Sequence, residues 1–374
     1  MSTPLPTINS ARRLVIKLGS SLVADAVTAS ANRGWMQSLA ADIATLRAAG
    51  KDIILVSSGA VALGRPLVGL TGGRLTLEEK QAAAAAGQPL LMQAWQEAFA
   101  GHGLHVGQLL LTLEDSEQRR RYLNARSTFT TLLSHGLIPI VNENDTVATA
   151  ELKFGDNDRL AARVAVMTSA DMLVLFSDID GLYNADPRKQ PTAEHLARID
   201  RITPEILAMG GDAASALSSG GMRTKLDAAV MATKAGCHMA IARGDAPHPL
   251  LALEQGARAS WFVAAATPAQ ARKHWIATAV SPRGAVVVDD GAATALRSGK
   301  SLLPAGVRTV EGAFERGDTV AIRTLDGTVL ACGITAYGSV EAAKIAGQKT
   351  GAIAALLGYE GRDTMIHRDD LAML

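Results

Sequence analysis

The chain has 374 residues, 48% of them hydrophobic but only 4% aromatic, and a formal net charge of +1. That length fits about two or three domains, with cores built from Ala, Val, Leu and Ile, and the near-neutral charge excludes a polyanion as a global partner. Cys237 and Cys332 stand far apart with no CxxC pair, which excludes a disulfide framework or a cysteine zinc site and leaves them as small core residues. No apolar stretch precedes Arg12 and Arg13, so a signal peptide is not expected. No apolar run reaches the roughly 18 residues of a membrane span. A reducing, cytoplasmic setting is the expectation.

RLVIKL at 13–18 reads as a β-strand carrying Lys17 near its end, followed by Gly19-Ser20-Ser21. A strand entering such a turn aims backbone N–H groups and a lysine at a phosphate, although the GxxxxGK[ST] spacing of a P-loop is absent. Taken alone, a surface lysine beside a plain turn accounts for it at least as well. Asn32 caps a helix in which Trp35, Leu39, Ile43 and Leu46 recur at helical spacing, closed by Gly50. DIILV at 52–56 is a second strand, ending in Ser57-Ser58-Gly59-Ala60. Two such units in succession are the pattern of a parallel sheet with crossover helices. Residues 78–100 read as an alanine-rich helix with Leu90, Leu91, Trp95 and Phe99 as buried anchors, kinked or divided at Gln88-Pro89. A strand is expected at 105–113. His102 and His105 have no further His or Cys at ligand spacing and read as structural or exposed. Arg119, Arg120 and Arg121 read as a solvated face or an intersubunit contact.

LIPIV at 137–141 reads as a buried strand running into NEND at 142–145, and GDND follows at 155–158. The two acid-amide clusters lie within 17 residues, the first at a strand end, where open α/β sheets collect ligands. Such groups accept from an ammonium, donate to a carboxylate or hold magnesium. Turn chemistry is the alternative for either cluster by itself. DMLVLF at 171–176 is a further strand, ending in SDIDGLY at 177–183. SALSSGGMRTK at 215–225 combines a Gly-Gly turn, hydroxyls and Lys225 ahead of a helix expected over 226–235, which reads as a second phosphate cradle, with an ordinary flexible loop capped by Thr224 as the alternative. A closing strand is expected at 238–242 and a boundary at 278–282. Beyond it, short β runs at 285–288, 307–310, 319–323 and 329–335 and short helices at 291–298 and 340–347 give a small mixed β domain. Residues 282–374 carry ten Lys plus Arg against eleven Asp plus Glu, a net −1, with only three aromatics, Phe314, Tyr337 and Tyr359. That argues against a nucleic-acid surface.

Two lysines, two glycine-rich turns and a set of carboxylates at strand ends are the equipment of phosphoryl transfer, where positioning and charge neutralisation do most of the work. No nucleophile–base dyad stands out. A carboxylate acceptor would need none, since it is already ionised at neutral pH (glutamate reference pKa about 4.3).

KLGSS at 17–21, SSGA at 57–60, NEND, GDND, SDIDGLY and SGGMRTK at 219–225 resemble, in this order, the glutamate 5-kinases of the amino acid kinase family. LLPAGV at 302–307, the segment 337–347 and LGYE at 357–360 are similar to the form with a C-terminal PUA domain. The resemblance implies a three-layer αβα sandwich with a mainly parallel central sheet over 1–278, a small mixed β-barrel over 283–361 and a tail at 362–374. It implies phosphorylation of the γ-carboxylate of L-glutamate by ATP with Mg2+, the first step of proline biosynthesis, inhibited by L-proline. By position, Lys17, Asp158 and Lys225 would be catalytic, and Ser58, Asp145 and Asn157 would bind glutamate. Lys17, Ser177, Asp178, Ser219, Gly220, Gly221, Met222, Arg223, Thr224 and Lys225 would line the nucleotide site. The magnesium ligands stay open. A homo-oligomer, tetramer or dimer, and a hand-off to glutamyl-phosphate reductase are further implications. Ser20, Ser57 and Ser177 stand where the family often has Thr, and each keeps a hydroxyl. Three alternatives remain: a sister kinase for aspartate, N-acetylglutamate, carbamate or UMP; an RNA-binding protein, disfavoured by the −1 charge; and a pseudokinase, disfavoured by Lys17, Asp158 and Lys225. Asp158→Ala is expected to abolish turnover with a modest change in stability.

Overall fold

The computed structural model describes residues 5–25, 28–70, 73, 75–148, 157–211, 221–277 and 282–374. They form two compact units, Met1–Pro268 and Ala269–Leu374. In the first unit the chain runs β1 (Arg13–Leu18), α1 (Ser20–Val23), α2 (Arg33–Ala48), β2 (Asp52–Ser57), α3 (Ala60–Gly64), α4 (Leu77–Ala100) and β3 (Val106–Leu111). Next come α5 (Leu113–Glu117), α6 (Arg119–Ser134), β4 (Ile138–Glu143), α7 (Asn157–Thr168) and β5 (Met172–Ser177). A small hairpin of β6 (Leu182–Tyr183) and β7 (His195–Leu196) leads to β8 (Arg198–Ile199) and α8 (Pro204–Ala208). The unit closes with α9 (Met222–Lys234), β9 (His238–Arg243), α10 (Pro249–Glu254) and β10 (Ala259–Phe262).

Eight of these strands make one sheet in the order β3-β4-β2-β1-β5-β9-β10-β8. Every neighbouring pair is parallel except β9 with β10. Side chains alternate faces along a strand. Leu14, Ile16 and Leu18 of β1 enter a core shared with Trp35 and Ile43 of α2, Trp95 and Phe99 of α4 and Leu250 of α10. Val15 enters the opposite core, with Phe129 of α6, Leu160 and Val164 of α7 and Leu226 of α9. Both faces are covered, which is why the central strands read as unbroken apolar runs. This is the three-layer αβα sandwich. The same alternation puts Lys17 on the face of Val15, toward α7 and α9.

Helix α4 opens on a capping box, in which Thr76 Oγ1 accepts from the Glu79 N–H and the Glu79 carboxylate accepts from the Thr76 N–H. It is not divided at Pro89, which lies inside it. A proline deprives the carbonyl four residues back of its donor. Here that residue is Ala85, on the exposed face, where water can take the donor's place. The same facing exposes Leu90 (39%), expected as an anchor, while Leu91, Trp95 and Phe99 are buried as expected. Helices α3 and α4 touch backbone to backbone. A Cβ on Gly64 would stand 1.9 Å from the Ala83 carbonyl oxygen, and one on Gly87 1.9 Å from that of Ala60. Helix α9 starts at Met222, four residues before the expected start, so Lys225 lies in its first turn rather than in the loop ahead of it.

The second unit contains α11 (Pro268–Ala277) but for its first residue, then β11 (Gly284–Val288), α12 (Asp290–Arg297), β12 (Val307–Gly312), β13 (Thr319–Thr324) and β14 (Val329–Ile334). Helices α13 (Ser339–Ile345) and α14 (Ile353–Leu357) and strand β15 (Leu371–Met373) complete it. Its sheet runs β12-β11-β13-β14-β15, with β11 parallel to β13 and the other pairs antiparallel. Two boundaries differ from those read in the sequence. The division falls at 268/269 because α11 packs with this sheet, through Ile276 against Cys332, Ile334 and Ala372 and through the Arg272–Asp370 ion pair at 2.5 Å. Residues 278–281 of the expected boundary lie outside the described residues. The segment read as a tail carries β15, with Leu371 and Ala372 buried. Both cysteines are buried, as expected. Among the described residues no helix is long and apolar enough to cross a membrane.

The α3–α4 contact leaves no room for a methyl group. Gly87→Ala should lower the unfolding free energy by about 1–3 kcal/mol or more, read from urea denaturation. An unchanged midpoint would contradict the backbone packing described.

Candidate active site

The C-terminal ends of β4, β2, β1 and β5, adjacent in the sheet, bring together residues far apart in the chain. Leu18 lies level with Ser57 on one side and Phe176 on the other. Lys17, Ser58, Asn142 and Ser177 therefore gather at one edge of the sheet. After Ser58 the backbone turns at Gly59 with φ +114°, a left-handed conformation that favours glycine. Helix α3 begins at the next residue.

At the centre Asp158, in the first turn of α7, faces two lysines. Lys17 Nζ stands 2.6 Å from its Oδ1, and Lys225 Nζ donates to its Oδ2 at 2.9 Å. The exposures are 6% for Lys17, 0% for Asp158 and 3% for Lys225. Burial alone would push the Asp158 pKa up. The charges of Lys17 and Lys225, and the hydrogen bonds they donate, outweigh it and hold the carboxyl below its usual range. Asp158 is therefore ionised, and the N-terminal end of α7 favours that charge as well. Two ammonium groups converge on this buried carboxylate, and lysines placed so suit anionic oxygens. Thr224 Oγ1 donates to the Gly221 carbonyl at 2.8 Å and secures the start of α9. Asp227 receives both Arg159 of α7, at 2.9 Å, and Arg223 of α9, at 3.3 Å, and so ties the two helices on their outer side.

A second group of residues lies beside the first. Asn157 Nδ2 donates to Ser58 Oγ at 2.6 Å and to Asn142 Oδ1 at 3.2 Å. Asn142 Nδ2 in turn donates to Gln88 Oε1 of α4 at 2.9 Å. Trp95, two turns along the same face of α4, donates its indole N–H to Ser57 Oγ at 3.0 Å. Helix α4 thus braces the end of β2 from behind.

The sequence-derived site residues divide as follows. Lys17, Asp158 and Lys225 meet directly, and Ser58 and Asn157 are hydrogen-bonded to each other. Asp145 lies half-buried in the turn after β4. Ser177 donates to Asp178 Oδ1 at 2.9 Å at the end of β5, with Asp178 exposed. Of the glycine-rich segment, Gly221 is the N-cap of α9, Met222 packs on the second core, and Arg223 turns outward to Asp227. Ser219 and Gly220, with Gly155 and Asp156 of the second acidic cluster, lie outside the described residues. From the sequence, Asn142 was read only as part of the NEND cluster and Gln88 only as the place of an expected kink. Gln88 carried one legible signal, a lone amide in the buried series Ala84, Leu91, Trp95. Among the described residues no group of three or more His, Cys, Asp or Glu could hold a metal ion.

The amino acid kinase family matches residues 12–243, and the PUA domain matches residues 284–357. The chain is 57% identical over 364 residues to the glutamate 5-kinase of Paramagnetospirillum magneticum, covering 97% of this chain and 98% of that one. The chain belongs to the glutamate 5-kinase family. It is also 56% identical over 373 residues to glutamate 5-kinase 1 of Rhizobium meliloti, covering 100% of this chain and 95% of the relative. Identity to the glutamate 5-kinase of Caulobacter vibrioides is 57% over 367 residues, covering 97% of each chain. Membership in this family agrees with the resemblance seen in the motifs and includes the PUA domain.

The burial of the cluster argues against a modest stability effect at Asp158. Asp158→Ala takes the carboxylate from two buried ammonium groups and should cost about 3–5 kcal/mol at neutral pH, read from urea unfolding. The pKa of Asp158 is lowered by folding, so the stability it contributes is fully present above its unfolded pKa of about 3.9. It is lost only as the pH falls through the lower folded value. The gap between wild type and D158A should therefore hold as pH falls from about 8 to 5. A gap already gone at the upper end of that window would mean the carboxylate is not held ionised.

Proposed function

We propose that the protein transfers the γ-phosphoryl group of ATP to the γ-carboxylate of L-glutamate, giving L-glutamyl 5-phosphate and ADP in the first step toward proline. The observation that carries this reading is the buried cluster in which Lys17 and Lys225 converge on Asp158. Family membership supplies the substrate class. The acceptor carboxylate is already an ion, so the chemical obstacle is bringing it against an anionic phosphate. Lys17 and Lys225 would lower that barrier by neutralising charge as the phosphoryl group passes, and Asp158 would hold both ammonium groups in position. Ser58 and Asn157 would grip the amino-acid end of glutamate, and Asp145 would pair with its ammonium. Ser177, Asp178 and the segment 219–225 would receive the nucleotide.

Magnesium fits the described residues only as an ion carried largely by the phosphates, the usual habit of this cation. Both Asp158 oxygens face lysines, which suits that carboxylate poorly as a ligand. Asp178 is exposed, and its Oδ1 accepts from Ser177 Oγ. Among the described residues it is a carboxylate that could help hold the ion. When bound, the ion would neutralise charge on the phosphates. L-Proline carries the same α-carboxylate and cationic nitrogen as glutamate, and we read it as a competitor for the glutamate groups.

The direct test is ADP release with ATP and magnesium, with hydroxylamine present to trap an acyl phosphate. Turnover and hydroxamate are expected with L-glutamate, reduced by L-proline, and absent with L-aspartate, N-acetyl-L-glutamate or UMP. Turnover with one of those instead would overturn the substrate reading. In the same assay Asp145→Asn should raise the KM for glutamate about tenfold or more, the equivalent of about 1.4 kcal/mol, with kcat little changed. An unchanged KM would remove Asp145 from the glutamate site.

A further inference from the structure

We propose that Gln88 is a positioning residue for the acceptor amino acid, acting through Asn142 to fix the hydrogen-bond polarity with which Ser58 and Asn157 meet the substrate. This rests on the reading that Ser58 and Asn157 hold glutamate. A backbone N–H can only donate, and that of Glu143 donates to Asn142 Oδ1 at 2.9 Å. The oxygen end of the Asn142 amide is thereby identified, an assignment that side-chain shape alone does not give. Its Nδ2 must face Gln88, whose Oε1 accepts at 2.9 Å. Asn142 Oδ1 also accepts from Asn157 Nδ2, at 3.2 Å, and Asn157 gives its other amide hydrogen to Ser58 Oγ at 2.6 Å. With both hydrogens spent, Asn157 has its carbonyl oxygen to offer as an acceptor. Ser58 Oγ, already accepting, has its own proton to donate. An amino acid presents an ammonium and a carboxylate, and an acceptor beside a donor is the matching pair. Gln88 Oε1 is the far end of the line. Without it the Asn142 amide, 4% exposed, has a buried N–H and no acceptor, and turning away to relieve this would release Asn157.

Two independent observations set Gln88 apart from a core filler. It is 9% exposed on the inner face of α4, and its Nε2 has no hydrogen-bond partner among the described residues. An orphaned buried donor destabilises a fold, and an aliphatic side chain of similar size would not carry one. The helix also cannot drift, since the Gly64–Gly87 contact and the Trp95–Ser57 hydrogen bond hold it on either side of Gln88.

The test is a double-mutant cycle on steady-state ADP release, with Gln88→Leu made in the wild type and in Asn157→Ala. Gln88→Leu should raise the KM for L-glutamate about tenfold, a 1.4 kcal/mol effect. It should leave kcat and the KM for ATP within about twofold, with little change in melting temperature, because it removes one orphaned donor, Gln88 Nε2, while leaving another, Asn142 Nδ2, without its acceptor. In the Asn157→Ala background it should change the KM for glutamate by less than about twofold, because its path to the substrate is gone. Gln88→Met, unbranched and adaptable, serves the same comparison should leucine not pack. An unchanged KM, an equal rise in both backgrounds, or a loss of kcat that tracks a lower melting temperature would each overturn the relay. A wild type inactive on L-glutamate but active on another acceptor would overturn the glutamate reading first and the relay's ligand with it.

Discussion

One carboxylate facing two ammonium groups in a water-poor interior is the constraint on which the first unit depends. Opposite charges at hydrogen-bond distance attract strongly there, but each ion has given up its hydration to be there. The arrangement requires three separate chain segments to meet at hydrogen-bond distance. Strand alternation aims Lys17 at the α7 and α9 face, and the starts of α7 and α9 deliver Asp158 and Lys225. The outer bridge through Asp227 keeps those two helices together. In the proposed function, the two ammonium groups so held would serve a phosphoryl transfer at the point where two anions must meet.

The neighbouring group, proposed above as the acceptor side, is built differently, from neutral amides and a hydroxyl. Their value lies in direction: each group is turned into a donor or an acceptor by its neighbour, and the sequence of neighbours ends on α4. That helix packs against α3 through two glycines with no side-chain cushion, so little slack separates the scaffold from the amides it supports. In the proposed function, charge on one side and direction on the other would divide the work of binding phosphate from that of binding an amino acid.

Much of this was legible before any coordinates. The continuous apolar strands announced a sheet covered on both faces, and Lys17, Asp158 and Lys225 stood in motifs whose chemistry and family resemblance agree. The exceptions have identifiable causes. Pro89 looked like a helix breaker, but its unsatisfied carbonyl partner faces solvent, so the helix tolerates it. Leu90 read as core from hydrophobicity, although facing is set by angular position around α4. Strand β15 is three residues long, too short for periodicity to register. Helix α11 gave no sign in composition of which unit it packs with. Gln88 stayed hidden because the polarity of an amide chain is a property of four residues in space, separated by up to 99 positions in sequence.

The central claim is that Lys17 and Lys225 act on the transferring phosphoryl group rather than merely stabilising the fold around Asp158. Single-turnover transfer at saturating ATP, magnesium and L-glutamate, measured for Lys17→Met and Lys225→Met alongside calorimetric affinities for ATP, separates the two. A fall of about 10²–10³ in the transfer rate, with folded protein and ATP affinity largely kept, is the predicted result. A transfer rate near that of the wild type in either variant would contradict the account.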